Sequence, residues 1–297
     1  MHKIAVIGAN SFLAKKLLKR LSGELYTCSL FGKNKPASFD TYPFFEFNYP
    51  EKAIDFSTLL KSDSIFYFAA TGVQATLQTS TELIYGVNTF LPITIANYLT
   101  EQQYGGQLIT FGSYFEIGSQ AKFVYFNEQE LAQTELLVPN AYCASKRLLT
   151  RQFTNNMHSF NWYHLILPTI YGPGEDSNRL IPYLIAKLIN NEPLKITKGL
   201  QTRQYVHADD ILDLLENFII PQKVEKGIYN LSGNSCSTVR ELTNMVYSVL
   251  EKSFEKTEII SRGDENMLVL LLNNKKIFQS TGWMPKISIE AGIKSYL

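Results

Sequence analysis

Short apolar runs alternate with amphipathic segments over the first half of the chain. A strand-like run, Lys3–Ile7, ends at Gly8, and apolar positions then recur at helical spacing. Later runs of the same strand type are Leu25–Phe31, Phe44–Phe47, Ser64–Ala69, Gln107–Phe111 and Tyr163–Leu167. Helical spacing covers roughly Thr81–Gln103 and Asn140–His158. This alternation predicts an α/β fold with a doubly wound parallel sheet and right-handed crossovers.

The pattern changes after Pro168. A turn-rich stretch, YGPGEDSN, comes first, and the elements that follow it are shorter. They are helices near Arg179–Asn190, Asp209–Ile219 and Thr238–Lys252, and strands near Leu194–Thr197 and Ile228–Leu231. We therefore expect a main domain over residues 1–168 and a smaller C-terminal α/β lobe over residues 169–297, with the chain able to cross back between them.

The composition excludes two classes of protein. Of the 297 residues, 45% are hydrophobic and 19% charged, which is enough apolar surface to offset the entropy of ordering the chain. Disorder is therefore excluded. Lys and Arg total 28 against 27 Asp and Glu, so the net charge of +1 provides no broad surface for nucleic acid or anionic membrane. A few individually placed cations would have to hold any anionic ligand.

Cysteine usage and the lack of long apolar stretches indicate the compartment. Cys28, Cys143 and Cys236 are far apart, odd in number and lack metal-ligand spacing, so we expect reduced thiols and no metal site. No apolar stretch approaches the ~20 residues of a membrane-spanning helix. The first residues also lack the longer apolar core of a signal peptide. The expectation is a cytoplasmic protein with no membrane or nucleic-acid partner.

The turn after the first strand is a candidate phosphate-binding site. Gly8 begins the stretch GANSFLA, and the first helix opens within it. A dinucleotide fold needs a tight turn here, because the pyrophosphate sits against free N–H groups of the helix. The candidate contacts are Gly8, Asn10, Ser11, Phe12 and Leu13. Ser11 and Ala14 stand where glycine is commoner, and one glycine after a strand also fits an ordinary turn. Its position at the start of an alternating β/α chain favours the dinucleotide site.

The residues after the second strand bear on the choice of cofactor. A carboxylate at this place would accept hydrogen bonds from the adenosine ribose. The sequence has FGKNK instead, with Lys33 and Lys35 and no acid. Either lysine could neutralise a 2′-phosphate, which favours NADPH over NADH. The alternative is two solvated lysines in a loop.

A serine, a tyrosine and a lysine form the candidate catalytic group. Tyr142 and Lys146 are spaced i and i+4 on one predicted helix face. An ammonium near a phenol favours the phenolate, so the tyrosine can cycle a proton near neutral pH. Ser113 lies just past the strand Gln107–Phe111, where its hydroxyl could bind a substrate carbonyl oxygen. A tyrosine and lysine at this spacing are frequent by chance, but Ser113 and the glycine turn make the combination specific.

The chain resembles the extended short-chain dehydrogenases/reductases of the NAD-dependent epimerase/dehydratase family. The matching segments span nearly the whole chain and are GANSFLA, FAATGV, VNTFLPITIANYL, TFGSYFEIG, AYCASK, TRQYVHADDI, SRGDE and TGWMPK. The resemblance implies a Rossmann-type sheet that binds the cofactor and a lobe that binds a nucleotide-diphosphate sugar. It also implies a homodimer built on the two long helical segments.

The resemblance also implies roles for individual residues. It adds cofactor contacts at Asn48, Ala69, Ala70 and Pro168, beside Tyr142 and Lys146, and aligns Asn88 with an asparagine of a family helix. It implies substrate contacts at Tyr114, Phe115, Thr169, Arg179, Arg203 and Arg262. The last two arginines correspond to family residues that contact the diphosphate. Thr169 stands where the family often has asparagine.

Two departures from the family pattern narrow the reaction. Sugar 4,6-dehydratases have an acidic pair after the catalytic threonine, whereas here Tyr114 and Phe115 follow Ser113. The missing acid after the second strand fits an enzyme that consumes NADPH. We therefore expect a 4-ketoreductase that acts on a nucleotide-linked 4-keto-6-deoxy or 3,6-dideoxy sugar, most like the CDP-abequose and CDP-paratose synthases of surface polysaccharide synthesis. An NAD-dependent epimerase is the alternative, and a non-catalytic NADP-sensing regulator is the alternative from another class.

The segment YVHADD also has a structural interpretation. Asp209 and Asp210 precede an apolar run, and an aspartate at that place commonly caps a helix. We therefore expect these two residues to cap the helix and His207 to be structural.

Overall fold

The computed structural model describes residues 1–72, 79–155, 158–233, 235–252, 257–260 and 267–297. Within this part of the chain the largest sheet has seven strands, in the order β12-β7-β5-β4-β1-β2-β3. These strands are β1 (His2–Ile7), β2 (Tyr26–Gly32), β3 (Phe44–Glu46), β4 (Ser64–Tyr67), β5 (Gln107–Ser113), β7 (Asn161–Leu167) and β12 (Gly227–Asn230). This order, with parallel pairing of β1 to β2 and β4, is that of a Rossmann-type fold.

The strand order reverses at β1, which lies between β2 and β4. Ile7, the last residue of β1, is in register with Phe31 of β2 and Tyr67 of β4. The carboxyl ends of the three strands therefore meet at one edge of the sheet. In open α/β sheets this switch point is where ligands bind, so it is the place to look for the site.

Helices cover the sheet and lie between its strands along the chain, where apolar residues recur at helical spacing. In this region they are α1 (Phe12–Arg20), α2 (Thr81–Tyr85), α3 (Leu91–Glu101) and α5 (Ala141–Asn155). The predicted helix Thr81–Gln103 is thus two α-helices, joined by a π-helical turn over Gly86–Phe90. Pro92, at the start of α3, has no N–H to continue a regular ladder. The π-helical turn buries Asn88, which bears on the site described below.

Apolar residues of the central strands explain why the sheet is buried. All four residues of β4 and all seven of β5 are buried. Ile7 of β1 and Ile65 of β4 share a hydrophobic cluster with Ile95 and Leu99 of α3. Burying side chains of this size contributes about 1.5–3 kcal/mol each, which holds the strand ends in place.

The remaining elements form smaller sheets with their own helices. The strands are β6 (Tyr125–Phe126), β8 (Thr169–Tyr171), β9 (Leu194–Ile196), β10 (Thr202–Arg203), β11 (Tyr205–His207), β13 (Ser237–Thr238), β14 (Thr257–Ile259) and β15 (Val269–Leu272). The helices are α4 (Glu128–Gln133), α6 (Leu180–Ile189), α7 (Ala208–Leu214), α8 (Val239–Val249), α9 (Lys275–Thr281) and α10 (Ile289–Lys294). Leu184 of α6, Leu242 and Val246 of α8, and Ile293 of α10 share one core. Among the helices that the structure describes, none has the length and apolar content needed to cross a membrane.

The chain divides into two compact units. The first comprises Met1–Glu116, Asn140–Ile166 and Asn217–Tyr229, and the second comprises Ile117–Pro139, Leu167–Glu216 and Asn230–Leu297. The assignment of the strand near Ile228–Leu231 to the C-terminal lobe is wrong, because β12 is an edge strand of the seven-stranded sheet. A short apolar run does not specify which sheet it joins, since pairing depends on where the chain returns in space.

The expectation for the start of α7 is also wrong. The residue that caps α7 is His207, whose side chain accepts from the Asp209 N–H at 3.3 Å. Asp210 is buried and its two carboxylate oxygens accept from the N–H groups of Lys286 and Ile287, at 2.9 and 3.1 Å. Asp210 therefore anchors the segment TGWMPK and the residue after it instead of capping the start of α7.

Candidate active site

The glycine turn lies where strands β1, β2 and β4 end. Gly8 has φ +83, and a Cβ on it would lie 2.5 Å from the Ala69 backbone nitrogen. Only glycine fits there, because any side chain would collide with the main chain that follows β4. The Gly8 and Ala9 N–H groups both donate to the Phe31 carbonyl, at 2.9 and 3.3 Å. The turn is therefore held against the ends of both neighbouring strands, at the switch point of the sheet.

The first turn of α1 opens directly after the glycine. Ser11 caps the helix by accepting from the Ala14 N–H at 3.3 Å. The N–H groups of Phe12 and Leu13 belong to the first helical turn, which has no intrahelical acceptor for them. A pyrophosphate fits such a helix start, because the N–H groups and the helix dipole both favour an anion. The close approach at Gly8 and this helix start are the features that a dinucleotide requires.

A side-chain hydrogen bond attaches the lysine loop to the glycine turn. Asn10 donates to the Asn34 carbonyl at 2.5 Å. Both lysines are exposed, but Lys35 donates to the Asp40 carbonyl at 2.6 Å, whereas Lys33 directly follows β2. Lys33 is therefore better placed than Lys35 to meet an anionic group beside the turn.

Three further predicted cofactor contacts follow strand ends. Asn48 comes two residues after β3, and its backbone pairs with Lys52 at 2.9 and 2.7 Å. Ala69 and Ala70 follow β4, where Ala69 is half-buried and Ala70 exposed. All three belong to the same unit as Gly8, whereas Pro168, which follows β7, is buried in the second unit.

The candidate catalytic residues lie at the end of β5 and on α5. Ser113 is the last residue of β5 and is buried. Lys146 is also buried, and its ammonium donates to the Phe111 carbonyl of β5 at 2.8 Å. Tyr142 is one helical turn before Lys146 and remains half-exposed. The lysine is thus bound to the strand that carries Ser113, while Tyr142 stays half-exposed.

Asn88 connects α5 to the loop after β4. Its amide donates to Ser145 Oγ at 3.0 Å and to the Thr71 carbonyl at 2.9 Å, and its carbonyl oxygen accepts from the Thr71 N–H at 2.9 Å. Ser145 in turn donates to the Tyr142 carbonyl at 2.8 Å. The π-helical turn therefore places an amide that holds the backbone at Tyr142 in position.

The sequence interpretation missed one buried charged residue beside the candidate catalytic group. Glu116 is fully buried three residues after Ser113, and its Oε1 accepts from the Ser113 N–H at 2.6 Å. Its Oε2 accepts from the Thr150 hydroxyl at 2.5 Å. The acidic residue in TFGSYFEIG was a visible signal, but a lone glutamate next to a strand is usually exposed, and its burial cannot be read from spacing.

A hydrogen-bonded chain continues from Thr150 through the interior of the first unit. His164 Nε2 lies 2.8 Å from the Thr150 hydroxyl, and His164 Nδ1 lies 2.8 Å from the Thr110 hydroxyl. The Trp162 indole N–H donates to the same Thr110 oxygen at 2.8 Å. His164 therefore takes part in a polar network of β5, α5 and β7.

Burial and neighbouring charges raise the pKa of Glu116 and lower the pKa values of Lys146 and His164. Burial raises the pKa of Glu116 to about 7, although its two hydrogen-bond donors and the cations Lys146 and Arg147 oppose the rise. Burial lowers the pKa of Lys146 to about 8, against the attraction of Glu116. Burial, with the charge of Lys146, lowers the pKa of His164 to about 3, so that His164 is neutral at physiological pH.

The residues predicted to bind substrate differ in their surroundings. Tyr114 is buried and packs edge-on against the half-buried Phe115 at 4.8 Å. Thr169 pairs with Tyr205 where β8 meets β11. Arg203 is buried, and its Nη1 donates to the carbonyls of Thr202 and Leu268, at 2.9 and 3.3 Å.

Two more arginines were assigned to the substrate. Arg179 Nε lies 3.8 Å from the carboxylate of Glu175, across one turn at the start of α6. Arg262 lies outside the described residues. Within those residues, no cluster of three or more His, Cys, Asp or Glu side chains could hold a metal ion.

Comparison with known families identifies the chain. The family model described as the NAD dependent epimerase/dehydratase family matches residues 4–232. The chain belongs to the NAD-dependent epimerase/dehydratase family. For this family member, the glycine turn and the Tyr142–Lys146 pair both lie within the matched residues.

Curated relatives of this family member include two CDP-abequose synthases. The CDP-abequose synthase of Salmonella typhimurium is 30% identical over 149 residues, which cover 48% of this chain and 49% of the relative. The CDP-abequose synthase of Salmonella muenchen is 26% identical over 164 residues, or 53% and 55%. The chain thus spans about half the length of the curated relatives it matches.

Solved structures of similar shape agree on the fold. The dTDP-glucose 4,6-dehydratase of Bacillus anthracis in complex with NAD has a TM-score of 0.82 at 19% identity, covering 100% of this chain and 95% of that protein. The UDP-glucose 4-epimerase of Thermotoga maritima with UDP-glucose has a TM-score of 0.82 at 17% identity, covering 99% and 97%. At these identities the likeness concerns the Rossmann-type fold alone, and this confirms the predicted fold class.

Proposed function

We propose that this family member is an NADPH-dependent nucleotide-sugar 4-ketoreductase. Its substrate would be a nucleoside diphosphate-linked 4-keto-6-deoxy or 3,6-dideoxy hexose, with the CDP-linked sugar favoured. The observation that carries the proposal is the buried Lys146 ammonium, bound 2.8 Å from the strand that ends in Ser113, with Tyr142 half-exposed one turn earlier. A half-exposed phenol one helical turn from a buried ammonium supports a role in proton donation to a carbonyl oxygen.

The first unit has the features that would hold NADPH. The turn at Gly8 and the start of α1 would receive the pyrophosphate, and Asn10, Phe12 and Leu13 line that turn. Lys33 would meet the 2′-phosphate, because no carboxylate follows β2 and Lys35 is bound to the Asp40 carbonyl. The bound nicotinamide would supply the hydride.

Three side chains would handle the proton and the developing charge. Tyr142 would donate its phenolic proton to the C4 oxygen of the sugar. Lys146, which is protonated at neutral pH, would favour the phenolate that remains. Ser113 would hydrogen-bond the same oxygen as charge develops on it. In the second unit, Arg203 and Arg262 would contact the diphosphate through charge-assisted hydrogen bonds.

The residues after Ser113 favour reduction over dehydration. Tyr114 and Phe115 stand where a dehydratase has its acidic pair, and neither can act as a carboxylic acid. The nearby Glu116 does not replace that pair, because it is fully buried with both oxygens accepting hydrogen bonds. The preference for CDP is supported by the two abequose synthases among the relatives.

One assay tests the proposal against its alternatives. Oxidation of NADPH is followed with a panel of CDP-, dTDP- and GDP-linked 4-keto-6-deoxy sugars, and the C4 configuration of the product is read by NMR. We expect turnover that consumes one NADPH per sugar, with the CDP-linked substrate preferred. Tightly bound NAD and interconversion of two 4-hydroxy sugars without added reductant would instead identify an epimerase. NADPH binding without turnover of any sugar would indicate the regulator. Homodimer formation and a cytoplasmic location stay predictions.

A further inference from the structure

Glu116 is a buried carboxyl group that the proposed mechanism does not use. Its side chain is fully buried, and both of its oxygens accept a short hydrogen bond, one from the Ser113 N–H and one from the Thr150 hydroxyl. Burying a carboxyl group is unfavourable unless specific donors compensate. The donors that compensate here include the main chain of a proposed catalytic residue.

A hydrogen-bonded chain lies behind Glu116. The Trp162 indole N–H donates to the Thr110 oxygen, and the hydroxyls of Thr110 and Thr150 flank the two ring nitrogens of His164, each at 2.8 Å. Thr150 donates to Glu116 Oε2. With a pKa of about 7, the Glu116 carboxyl group is largely ionised on the alkaline side of neutrality, where Lys146, with a pKa of about 8, loses its proton.

The charged and titratable groups around Glu116 come from two elements. Lys146 and Arg147 of α5 are both cations that stabilise its ionised form, and Arg147 Nε also donates to the Glu116 carbonyl at 2.7 Å. His164 of β7 faces it through Thr150 and is neutral. The attraction is mutual, so the Glu116 carboxylate favours the ammonium form of Lys146.

Gly112 provides the space for this carboxylate. A Cβ at Gly112 would lie 2.6 Å from Glu116 Oε1, 2.9 Å from His164 Nε2 and 2.4 Å from Ile166 Cδ1. A side chain there would therefore displace the carboxylate from the Ser113 N–H. The carboxylate of Glu116 therefore depends on the space that Gly112 leaves open.

We propose that Glu116 is the positioning residue of this site: its carboxyl group binds the Ser113 N–H and places its charge at the end of β5, the strand to whose Phe111 carbonyl the Lys146 ammonium is also bound. The inference rests on the proposed function only in naming Ser113 and Lys146 as catalytic. The contacts themselves do not depend on which sugar is reduced. Glu116 acts through these two residues.

The substitution Glu116→Gln tests this role because it removes the charge and keeps the shape. The amide oxygen can still accept from the Ser113 N–H, whereas the anion beside Lys146 is lost. A buried ammonium without its anion loses its proton at lower pH. We therefore expect the alkaline limb of kcat for NADPH-dependent reduction to move down by about one pH unit, since a nearby opposite charge shifts a pKa by about that much or more.

A matched control is Glu128→Gln in the second unit. Glu128 is a half-buried carboxyl group whose pKa burial also raises, and it accepts from the Asn230 N–H at 2.9 Å. Removing the Glu128 charge should leave the pH profile of kcat unchanged. An equal shift in both variants would overturn the proposal, because the shift would then follow from losing either carboxylate and not from the position of Glu116.

A second measurement does not depend on activity. The full-length protein is labelled with [ε-13C]lysine, the Lys146 resonance is assigned with Lys146→Arg, and its titration is followed by NMR. We expect the Lys146 midpoint to fall in Glu116→Gln and to stay in Glu128→Gln. An unchanged midpoint in Glu116→Gln would overturn the inference even if the reductase activity is found. A lowered midpoint would support it even if no sugar in the panel is reduced.

The wild-type protein provides a measurement that does not need a folded variant. Because two interacting groups titrate together, the wild-type Lys146 resonance should show a second inflection where Glu116 loses its proton. A single inflection would show that the two groups are not coupled, and it would also overturn the proposal.

Discussion

Each unit of the chain buries a carboxyl group, and the two groups have different surroundings. Glu116 in the first unit accepts from a backbone N–H and a threonine hydroxyl beside the buried Lys146. Glu175 in the second unit accepts from the Tyr296 hydroxyl and lies 3.8 Å from Arg179, whose side chain is 35% exposed. Burial raises the pKa of both carboxyl groups.

The difference lies in what each carboxyl group holds in place. Glu116 binds the end of β5 and faces the lysine of the proposed catalytic group, so its charge bears on chemistry. Glu175 binds Tyr296, whose oxygen accepts from the Gly172 N–H at 2.7 Å, so it fastens the loop after β8 to α10 and the residues that follow it. Under the proposed function, the carboxyl group of the first unit bears on proton chemistry, whereas the carboxyl group of the second unit stabilises the loop that leads to Arg179.

The largest effect is expected at Tyr142. Tyr142→Phe removes the proposed proton donor and should lower kcat by about a thousandfold, in line with general acid catalysis. NADPH binding, measured by fluorescence titration, should be unchanged. The control is Tyr98→Phe, which removes a hydroxyl from a half-buried tyrosine of α3. If Tyr142→Phe kept wild-type turnover, Tyr142 would not be the proton donor, and the contrast drawn between the two units would fail.

The next effect is a pH dependence of stability at His164. Its pKa of about 3 in the folded protein lies below the ordinary value of 6.5, so between these pH values the unfolded chain binds a proton that the folded protein does not. The stabilisation from His164 is therefore present above pH 6.5 and lost as pH falls. The penalty of His164→Gln in urea unfolding should shrink by about 2 kcal/mol from pH 7 to pH 5, at about 1.4 kcal/mol per pH unit.

Phe153→Leu is the matched control for His164→Gln. Phe153 stacks on the His164 ring at 5.6 Å, so the substitution disturbs the same contact without removing a titratable group. Its penalty should be the same at both pH values. A His164→Gln penalty that is also constant would contradict a neutral His164 in the hydrogen-bonded chain of β5, α5 and β7.

A smaller effect separates the two lysines after β2. Lys33→Ala should raise the KM for NADPH by about tenfold and leave the KM for NADH unchanged, because a charge-assisted contact to a phosphate contributes about 1.5 kcal/mol or more. Lys35→Ala should change little, because that ammonium is bound to the Asp40 carbonyl. Steady-state kinetics with both cofactors measures this. Equal losses in the two variants would contradict a specific site at Lys33.

The smallest effect is expected in the second unit. Tyr296→Phe removes the hydroxyl between Glu175 and the Gly172 N–H, and should lower the free energy of unfolding by about 1 kcal/mol, as for one hydrogen bond. The KM for the sugar should rise modestly with kcat unchanged. A large fall in kcat would show that the second unit also bears on chemistry and would remove the contrast between the two carboxyl groups.

Much of the fold was predictable, because it depends on local patterns. Apolar periodicity located the strands of the large sheet to within a few residues, and the spacing of Tyr142 and Lys146 placed both on α5. The π-helical turn at Gly86–Phe90 was not predictable, since its residues continue the helical spacing. The sheet joined by β12 was not predictable either, because a four-residue run carries no information about its neighbour.

Some features of the candidate site were likewise predictable from the sequence, and others were not. By itself the sequence determined the strand-to-helix turn at Gly8, the serine after a buried strand and the lysine four residues after a tyrosine, because each is a local requirement of backbone or helix geometry. Only the tertiary structure decided that Glu116 is buried, that Thr150 binds it across 34 residues of chain and that His164 is neutral. Protonation in a buried network depends on which groups lie within a few ångströms and on how far water is excluded, and these are set by packing between β5, α5 and β7.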